Sequence, residues 1–208
     1  MADLGFVHKY VPPSAGSQLT LLLLHGTGGN EGDLLQLGRS LSPKAALLSP
    51  RGRVLENGMP RFFRRLGEGI FDINDLTEQT HALARFIEDS SKKYGFKPER
   101  VVAAGYSNGA NIAGSTLILH PESLAGAVLF RPMVPFMPDV LPHLSGKPIL
   151  ILAGAADALV SKEETGRLSG LLGRAGADVT LHWEEASHAI TGDEMKVGRE
   201  WLAAEFPE

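Results

Sequence analysis

The stretch Val101-Val-Ala-Ala-Gly-Tyr-Ser-Asn-Gly-Ala110 decides the fold. Its four leading apolar residues predict a buried strand, and the segment 108–119 predicts a helix that follows almost without a loop. Between them, residues 105–109 have the form Gly-x-Ser-x-Gly, in which a sharp turn raises a serine hydroxyl at the carboxyl edge of a sheet. The alternative is a glycine-bracketed turn with an incidental serine. The position between strand and helix favours a nucleophilic Ser107.

Apolar runs alternate with amphipathic segments on both sides of this stretch. We predict strands at 19–24, 45–48, 101–104, 126–130, 147–152 and 179–183. We predict helices that begin near Asn30, Asp75, Asn108, Ser161 and Thr191, the last two opened by capping boxes with Glu164 and Glu194. Such alternation is typical of an α/β fold with a mostly parallel central sheet and helices on both faces. The stretch 49–73 shows no clear period, and we expect one domain over 1–208 without a large cap domain.

Composition and motifs exclude several classes of protein. The formal net charge is −4 and there is no cysteine, so we expect no nucleic-acid partner, no disulfide and no thiolate chemistry. No His-Glu-x-x-His motif occurs, and a dinucleotide-binding glycine pattern starting at Gly26 would need glycine where Glu31 stands. We therefore expect neither a metal nor a cofactor. The N-terminal segment lacks the apolar run of a signal peptide, and the aliphatic run 21–24 is too short for a bilayer, so we expect a cytoplasmic protein without stable membrane insertion.

A serine nucleophile needs a histidine base and a carboxylate that orients it, in the chain order Ser, acid, His for this fold. His188 follows the last predicted strand, and Asp157 directly follows the buried strand at 147–152, so both should lie at the same edge as Ser107. The other histidines beyond the serine are less suitably placed: His120, His143 and His182. A turn or capping carboxylate before Ser161 is the alternative role for Asp157.

An oxyanion hole needs two backbone N–H donors. We expect one from Asn108, the residue after the nucleophile, and one from Thr27 in the loop His25-Gly-Thr-Gly-Gly29. His25 itself we expect to be structural.

Four segments together resemble the phospholipase/carboxylesterase family of α/β-hydrolases, relatives of the acyl-protein thioesterases: residues 25–29, 105–109, 154–157 and 187–188. The resemblance covers nearly the whole chain and implies Ser107, Asp157 and His188 as triad, with the amides at 27 and 108 as oxyanion hole. The segments 61–65 and 68–72 are similar to those of a bacterial carboxylesterase subgroup. Dienelactone hydrolases share the fold but use a cysteine nucleophile, which this chain lacks.

Two departures from the family pattern concern the substrate. Asn108 stands where acyl-protein thioesterases have Gln, and the segment 131–135, Arg-Pro-Met-Val-Pro, replaces a small Ser-Gly stretch found in many relatives. Both weaken the case for a long-acyl thioester. We therefore expect a serine carboxylesterase that acts on small or short-acyl esters through an acyl-enzyme. The alternatives are a thioesterase or lysophospholipase for longer acyl chains, or a catalytically silent binding protein.

The residues that contact the substrate are harder to assign. Phe62, Phe63, Phe71 and Met133 could line an acyl pocket, although core packing is the commoner fate of phenylalanine. The long loop could form a partial lid. Six arginines lie after strand ends or in that loop and either bind an anionic group or pair with Glu56, Glu68 and Asp72: Arg51, Arg53, Arg61, Arg64, Arg65 and Arg131. Among them, Arg131 is the candidate for contact with the substrate. We expect a small-molecule ester as partner, and the sequence leaves a homodimer open.

Overall fold

The computed structural model describes residues 4–14 and 16–207, so residues 1–3, 15 and 208 of the predicted domain lie outside it. Its strands are β1 (His8–Val11), β2 (Thr20–Leu24), β3 (Ala46–Pro50), β4 (Val54–Glu56), β5 (Met59–Arg61), β6 (Arg65–Gly67), β7 (Ile70–Phe71), β8 (Val101–Tyr106), β9 (Gly126–Phe130), β10 (Pro148–Gly154) and β11 (Asp178–Glu184). Its α-helices are α1 (Leu35–Leu41), α2 (Ile73–Tyr94), α3 (Asn108–Leu119), α4 (Lys162–Arg174) and α5 (Gly192–Glu205).

Within the described residues, seven strands form the central sheet in the order β1-β3-β2-β8-β9-β10-β11. All neighbours pair in parallel except β1, which runs antiparallel to β3 at the edge. The predicted mostly parallel sheet is confirmed. The sequence did not indicate β1, because its four residues are not fully buried and carry no apolar run.

Alternating side chains of the central strands form two apolar layers. On β2, Leu22 and Leu24 pack into one cluster together with residues of α2, α3 and α4. Leu21 and Leu23 pack into the other, with residues of α1 and α5. Helices therefore cover both faces, as predicted for a parallel sheet.

The helix starts differ from the sequence expectations in two places. α1 begins at Leu35, so the predicted helix start near Asn30 is wrong: the Asn30 side chain accepts from the Gly32 amide at 2.7 Å in an exposed turn. Only one of the two hydrogen bonds of the predicted α4 capping box forms. Ser161 accepts from the Glu164 amide, whereas the Glu164 carboxylate accepts from the Val134 amide at 2.9 Å.

The other helix starts lie within two residues of the predicted positions. Thr191 and Glu194 form the complete capping box of α5. α2 is capped by Asp72 and ends at Gly95, whose φ of 75° is the left-handed conformation that glycine adopts without strain.

The stretch 49–73 contains two antiparallel hairpins, β4-β5 and β6-β7, above the carboxyl edge of the sheet. The first turns at Asn57 and Gly58, with φ of 51° and 79°, the conformation of a type I′ turn. Strands of two or three residues give no period, so the sequence pattern did not predict them. The Asn-Gly pair was the one signal available.

Candidate active site

Ser107 lies on a strained turn between β8 and α3. Its φ is 52° and ψ −112°, outside the usual regions for a residue with a side chain. A Cβ atom at Gly105 would lie 2.6 Å from the Gly109 carbonyl oxygen, and one at Gly109 would lie 1.9 Å from the Leu24 carbonyl oxygen. The turn therefore requires the two glycines, as the pentapeptide indicated.

The structure brings the three predicted triad side chains together. His188 Nε2 lies 3.0 Å from Ser107 Oγ, and His188 Nδ1 lies 2.8 Å from Asp157 Oδ2. Because the ionised carboxylate can only accept, Nδ1 carries the proton and Nε2 is free to accept from the serine hydroxyl. This is the arrangement in which a histidine can act as the base toward the hydroxyl.

The Asp157 carboxylate is buried and held on both oxygens. Its side chain is 1% exposed, and Oδ1 accepts from the amides of Leu159 at 2.8 Å and Val160 at 3.2 Å. Oδ2 is thereby left to His188. The turn role that the sequence left as an alternative is present too, and it orients the carboxylate.

Tyr106 supports the histidine from the other side. Its hydroxyl donates to the His188 carbonyl oxygen at 3.2 Å, and the two rings are 5.4 Å apart. Burial raises the pKa of Tyr106 above its ordinary value, so the hydroxyl keeps its proton at neutral pH.

Thr27 and Asn108, whose backbone amides are the expected oxyanion donors, line the same cavity as Ser107. In the described parts of the chain, neither amide finds a protein acceptor. Hydrogen bonds fix the side chains of both residues: the Thr27 hydroxyl accepts from Arg61 Nη1 at 2.6 Å, and Asn108 Oδ1 accepts from the Phe62 amide at 2.8 Å. Both backbone N–H groups therefore remain able to donate to a ligand.

His25 has a structural role, as expected. Its Nδ1 donates to the Gly26 carbonyl oxygen at 2.6 Å and its Nε2 accepts from the Gly52 amide at 2.9 Å. The ring is 2% exposed, and burial lowers its pKa, which keeps it neutral and able to accept. It therefore connects the loop at 25–29 to the segment that leads into the hairpins.

The cavity above Ser107 has a volume of about 260 Å³. Met133 and Phe71 line it, as do Tyr106, Asn111, Leu159 and Val160, which the sequence analysis did not single out as lining residues. Asn111 lies one helical turn beyond Ser107, and Leu159 and Val160 follow Asp157, so helical and loop spacing could have pointed to them.

Phe62 and Phe63 do not line this cavity, and that prediction is wrong. Their side chains are 1% and 0% exposed and belong to the core. Phe62 packs on the His25 ring at 4.7 Å, and Phe63 packs edge-on against Phe71 at 5.0 Å. They anchor the base of the hairpins to the sheet.

The arginines of the loop hold it in place. Arg61 and Arg65 both pair with Glu56, at 3.2 and 2.9 Å, and Arg64 pairs with Asp72 at 2.9 Å. These are two of the three carboxylates that the sequence analysis named as alternative partners.

Two further arginines that follow strand ends are also occupied. Arg51 pairs with Glu31 at 2.6 Å, and Arg53 Nη2 donates to Gln79 Oε1 at 2.8 Å. Arg131, predicted to contact substrate, reaches the cavity wall but is fully buried and paired with Glu194. The substrate-binding prediction for Arg131 is wrong because its whole guanidinium group binds other parts of the protein.

No set of three or more His, Asp or Glu side chains in the described chain is arranged to hold a metal ion. Among residues 4–14 and 16–207, no helix combines the length and the apolar character needed to cross a membrane.

The sequence profile of the Dienelactone hydrolase family matches residues 68–205, a range that contains Ser107, Asp157 and His188. The chain belongs to the dienelactone hydrolase family. Within that family, this member has a serine at the strained turn and no cysteine anywhere in its sequence. The expected α/β-hydrolase relationship is confirmed.

Similar proteins agree with this assignment. The putative hydrolase MhqD of Bacillus subtilis (strain 168) is 48% identical over 193 residues, which cover 93% of this chain and 96% of that protein. The structure of the Bacillus cereus carboxylesterase matches with a TM-score of 0.94 at 48% identity, covering 97% of this chain and 95% of that one. A carboxylesterase from Mesorhizobium loti matches with a TM-score of 0.92 at 33% identity, covering 98% and 97%. The chain is therefore a hydrolase of the α/β-hydrolase fold, related to bacterial carboxylesterases.

Proposed function

We propose that this dienelactone hydrolase family member is a serine carboxylesterase that hydrolyses small or short-acyl esters through an acyl-enzyme on Ser107. The observation that carries the proposal is the unbroken hydrogen-bonded chain from Ser107 through His188 to Asp157. A serine hydroxyl is a weak nucleophile at neutral pH, and this chain supplies the base that it needs.

In the first half-reaction, the Ser107 hydroxyl attacks the ester carbonyl carbon while His188 Nε2 takes its proton. The carbonyl oxygen becomes an oxyanion, which accepts hydrogen bonds from the amides of Thr27 and Asn108. Such a donor is worth on the order of 10²- to 10³-fold in rate. His188 then returns the proton to the leaving alcohol, and the acyl group stays on Ser107.

In the second half-reaction, His188 takes a proton from water, which attacks the acyl-enzyme. The same two amides bind the second oxyanion, and collapse of the intermediate returns the proton to Ser107 and releases the acid. Asp157 keeps the imidazole in one tautomer and stabilises its positive charge throughout both halves.

The size and lining of the cavity support a small substrate. About 260 Å³ lies below the 300–1,000 Å³ typical of pockets for drug-sized ligands. Met133, Phe71 and Val160 give it an apolar wall, and Asn111 Oδ1 accepts from the Met133 amide at 2.7 Å, which fixes that wall relative to α3.

The test is turnover of p-nitrophenyl esters from acetyl to octanoyl, together with labelling by a fluorophosphonate probe read by intact mass. We expect one probe per chain, located on Ser107, and kcat/KM highest for acetyl or butyryl esters. Ser107→Ala should lose both activities. Ser123→Ala is the matched control, because Ser123 lies just before β9, at the opposite edge of the sheet.

Two results would count against the proposal. A wild-type chain that neither labels nor turns over any ester would mean a catalytically silent fold. A preference for the octanoyl ester would replace the short-acyl assignment by a thioesterase or lysophospholipase acting on longer chains.

A further inference from the structure

Arg131 is the largest fully buried side chain of the described residues, and all five of its N–H groups donate within the protein. Nε donates to the Ser187 carbonyl oxygen at 2.9 Å, and Nη2 donates to the Ala189 carbonyl oxygen at 2.7 Å. Nη1 donates to the Leu152 carbonyl oxygen at 3.1 Å, and both Nη atoms bind the Glu194 carboxylate.

Two of these acceptors flank His188 directly in the chain. The guanidinium therefore binds the backbone carbonyl groups on both sides of the histidine. Its Nε also lies 4.0 Å from Asp157 Oδ2, and its third carbonyl partner is Leu152 near the end of β10. One planar group thus connects the strand that leads to the acid with the loop that carries the base.

Glu194 holds the guanidinium from the far side. Its side chain is 0% exposed, and its Oε2 also accepts from the Thr191 amide at 2.9 Å as part of the α5 capping box. A bidentate carboxylate neutralises the buried charge and fixes the plane of the fork. The start of α5 therefore sets the position of Arg131.

The backbone of Arg131 is in an unfavourable conformation. Its φ is 55°, in the left-handed region that residues with a Cβ atom avoid, and its amide donates to Leu152 O at 2.9 Å. Glycine would fit this turn without strain. The strained residue has a guanidinium group that makes the hydrogen bonds described above, which glycine could not make.

We propose that Arg131 and Glu194 are positioning residues for His188, which fix the 186–189 backbone so that the imidazole faces Ser107. Neither residue touches the reacting atoms. The inference rests on the proposed function, because positioning a base has a catalytic effect only if His188 acts as one.

The sharpest variant is Arg131→Lys, which keeps a positive charge for Glu194 but has no fork to reach Ser187 and Ala189. We expect kcat for p-nitrophenyl acetate to fall about 10- to 100-fold, since a displacement near 1 Å of a catalytic group has effects of this order. KM should stay within about threefold. The rate of fluorophosphonate labelling at Ser107 should fall with kcat, because it reports the same base.

The matched control is Arg39→Met. Arg39 also donates to two loop carbonyls, of Pro43 and Ala45, but far from the site. We expect its kcat to stay within about twofold of wild type. If Arg131→Lys fails to fold, the double variant Arg131→Met with Glu194→Met removes both buried charges together and should show the same loss of kcat. A folded variant at position 131 with wild-type kcat and labelling rate would overturn the proposal.

Hydrogen exchange of the amides in 186–190 separates this inference from the proposed function. We expect exchange about tenfold faster in Arg131→Lys than in wild type or Arg39→Met, whether or not the protein turns over esters. A wild-type chain without labelling would contradict the esterase, whereas unchanged exchange in Arg131→Lys would contradict the positioning role.

Discussion

The loop that carries His188 and the hairpins above the site differ in how they are held. The loop is bound by a buried arginine whose side chain is 0% exposed. Beyond the base that Phe62 and Phe63 anchor, the hairpins are held by ion pairs such as Arg64–Asp72, in which the arginine side chain is 59% exposed. They also present Leu55, Leu66 and Ile70 to solvent.

The difference separates two tasks of the molecule. Chemistry requires groups fixed to fractions of an ångström, and buried, fully satisfied hydrogen bonds provide that. The hairpins contribute Arg65, Gly69 and Phe71 to the lining of the cavity, a role that needs less exact positioning. Substitutions should therefore have large effects at the sheet edge and small ones in the hairpins.

The largest effect is expected for Asp157→Asn. The variant should keep its fold but lose about 10⁴-fold in kcat, because an amide in place of the carboxylate favours the wrong tautomer of His188. Steady-state kinetics on p-nitrophenyl acetate measures the loss, and circular dichroism checks the fold. A folded variant that loses less than tenfold would show that the carboxylate does not orient the base.

Two glycine substitutions, one at the turn that carries Ser107 and one in a hairpin, compare how much each region contributes to the free energy of unfolding. Gly109→Ala places a methyl group 1.9 Å from the Leu24 carbonyl oxygen, whereas at Gly67 the nearest atom outside its chain neighbours is Ile70 Cδ1 at 3.7 Å. We expect Gly109→Ala to lower the free energy of unfolding by about 3 kcal/mol or more. Gly67→Ala should change it by less than about 1 kcal/mol. Urea denaturation measures both, and equal losses would remove the distinction between the regions.

We expect the protein to lose stability in acid because of the buried His25. Its pKa is lowered in the folded protein by burial, so the unfolded chain takes up the proton first as the pH falls. The stabilisation is present above the unfolded pKa of about 6.5 and declines below it, with a slope of at most about 1.4 kcal/mol per pH unit for one proton.

His25→Asn, which cannot titrate there, tests this assignment. The pKa of His81 is lowered as well and acts in the same direction, so the difference between wild type and variant isolates His25. We expect the free energy of unfolding to depend less steeply on pH between 7 and 5 in the variant. Parallel curves would assign the acid sensitivity to other groups.

The smallest effect is expected for Arg64→Met in the hairpin region. Its pair with Asp72 is exposed to water, and such pairs contribute little to stability. The Tm should shift by less than about 3 °C and kcat should be unchanged, as measured by calorimetry and ester turnover. A loss of activity comparable to that of Arg131→Lys would mean that the hairpins are as tightly coupled to the chemistry as the histidine loop.

The sequence predicted the parts of the site that depend on local geometry. Ser107 followed from two glycines that leave no room for a Cβ atom, and Asp157 and His188 followed from their places after buried strands. These constraints act within a few residues of the chain or through the shared edge of a parallel sheet.

What the sequence did not reveal depends on contacts between distant segments. Arg131 and Glu194 are 63 positions apart, and no motif in the sequence around either residue indicates that they pair. Phe62 and Phe63 belong to a stretch that reads as a polar loop, and their burial depends on how the hairpins fold back onto the sheet.

The central claim is that the His188–Asp157 pair makes the Ser107 hydroxyl reactive toward esters. Its most direct test is rapid acid quenching of the wild-type enzyme during turnover of p-nitrophenyl butyrate, followed by peptide mass mapping. We predict a butyryl group on the peptide that contains Ser107, and none in Ser107→Ala. Ester turnover with no acyl group on that peptide, or turnover that persists in Ser107→Ala, would contradict the account.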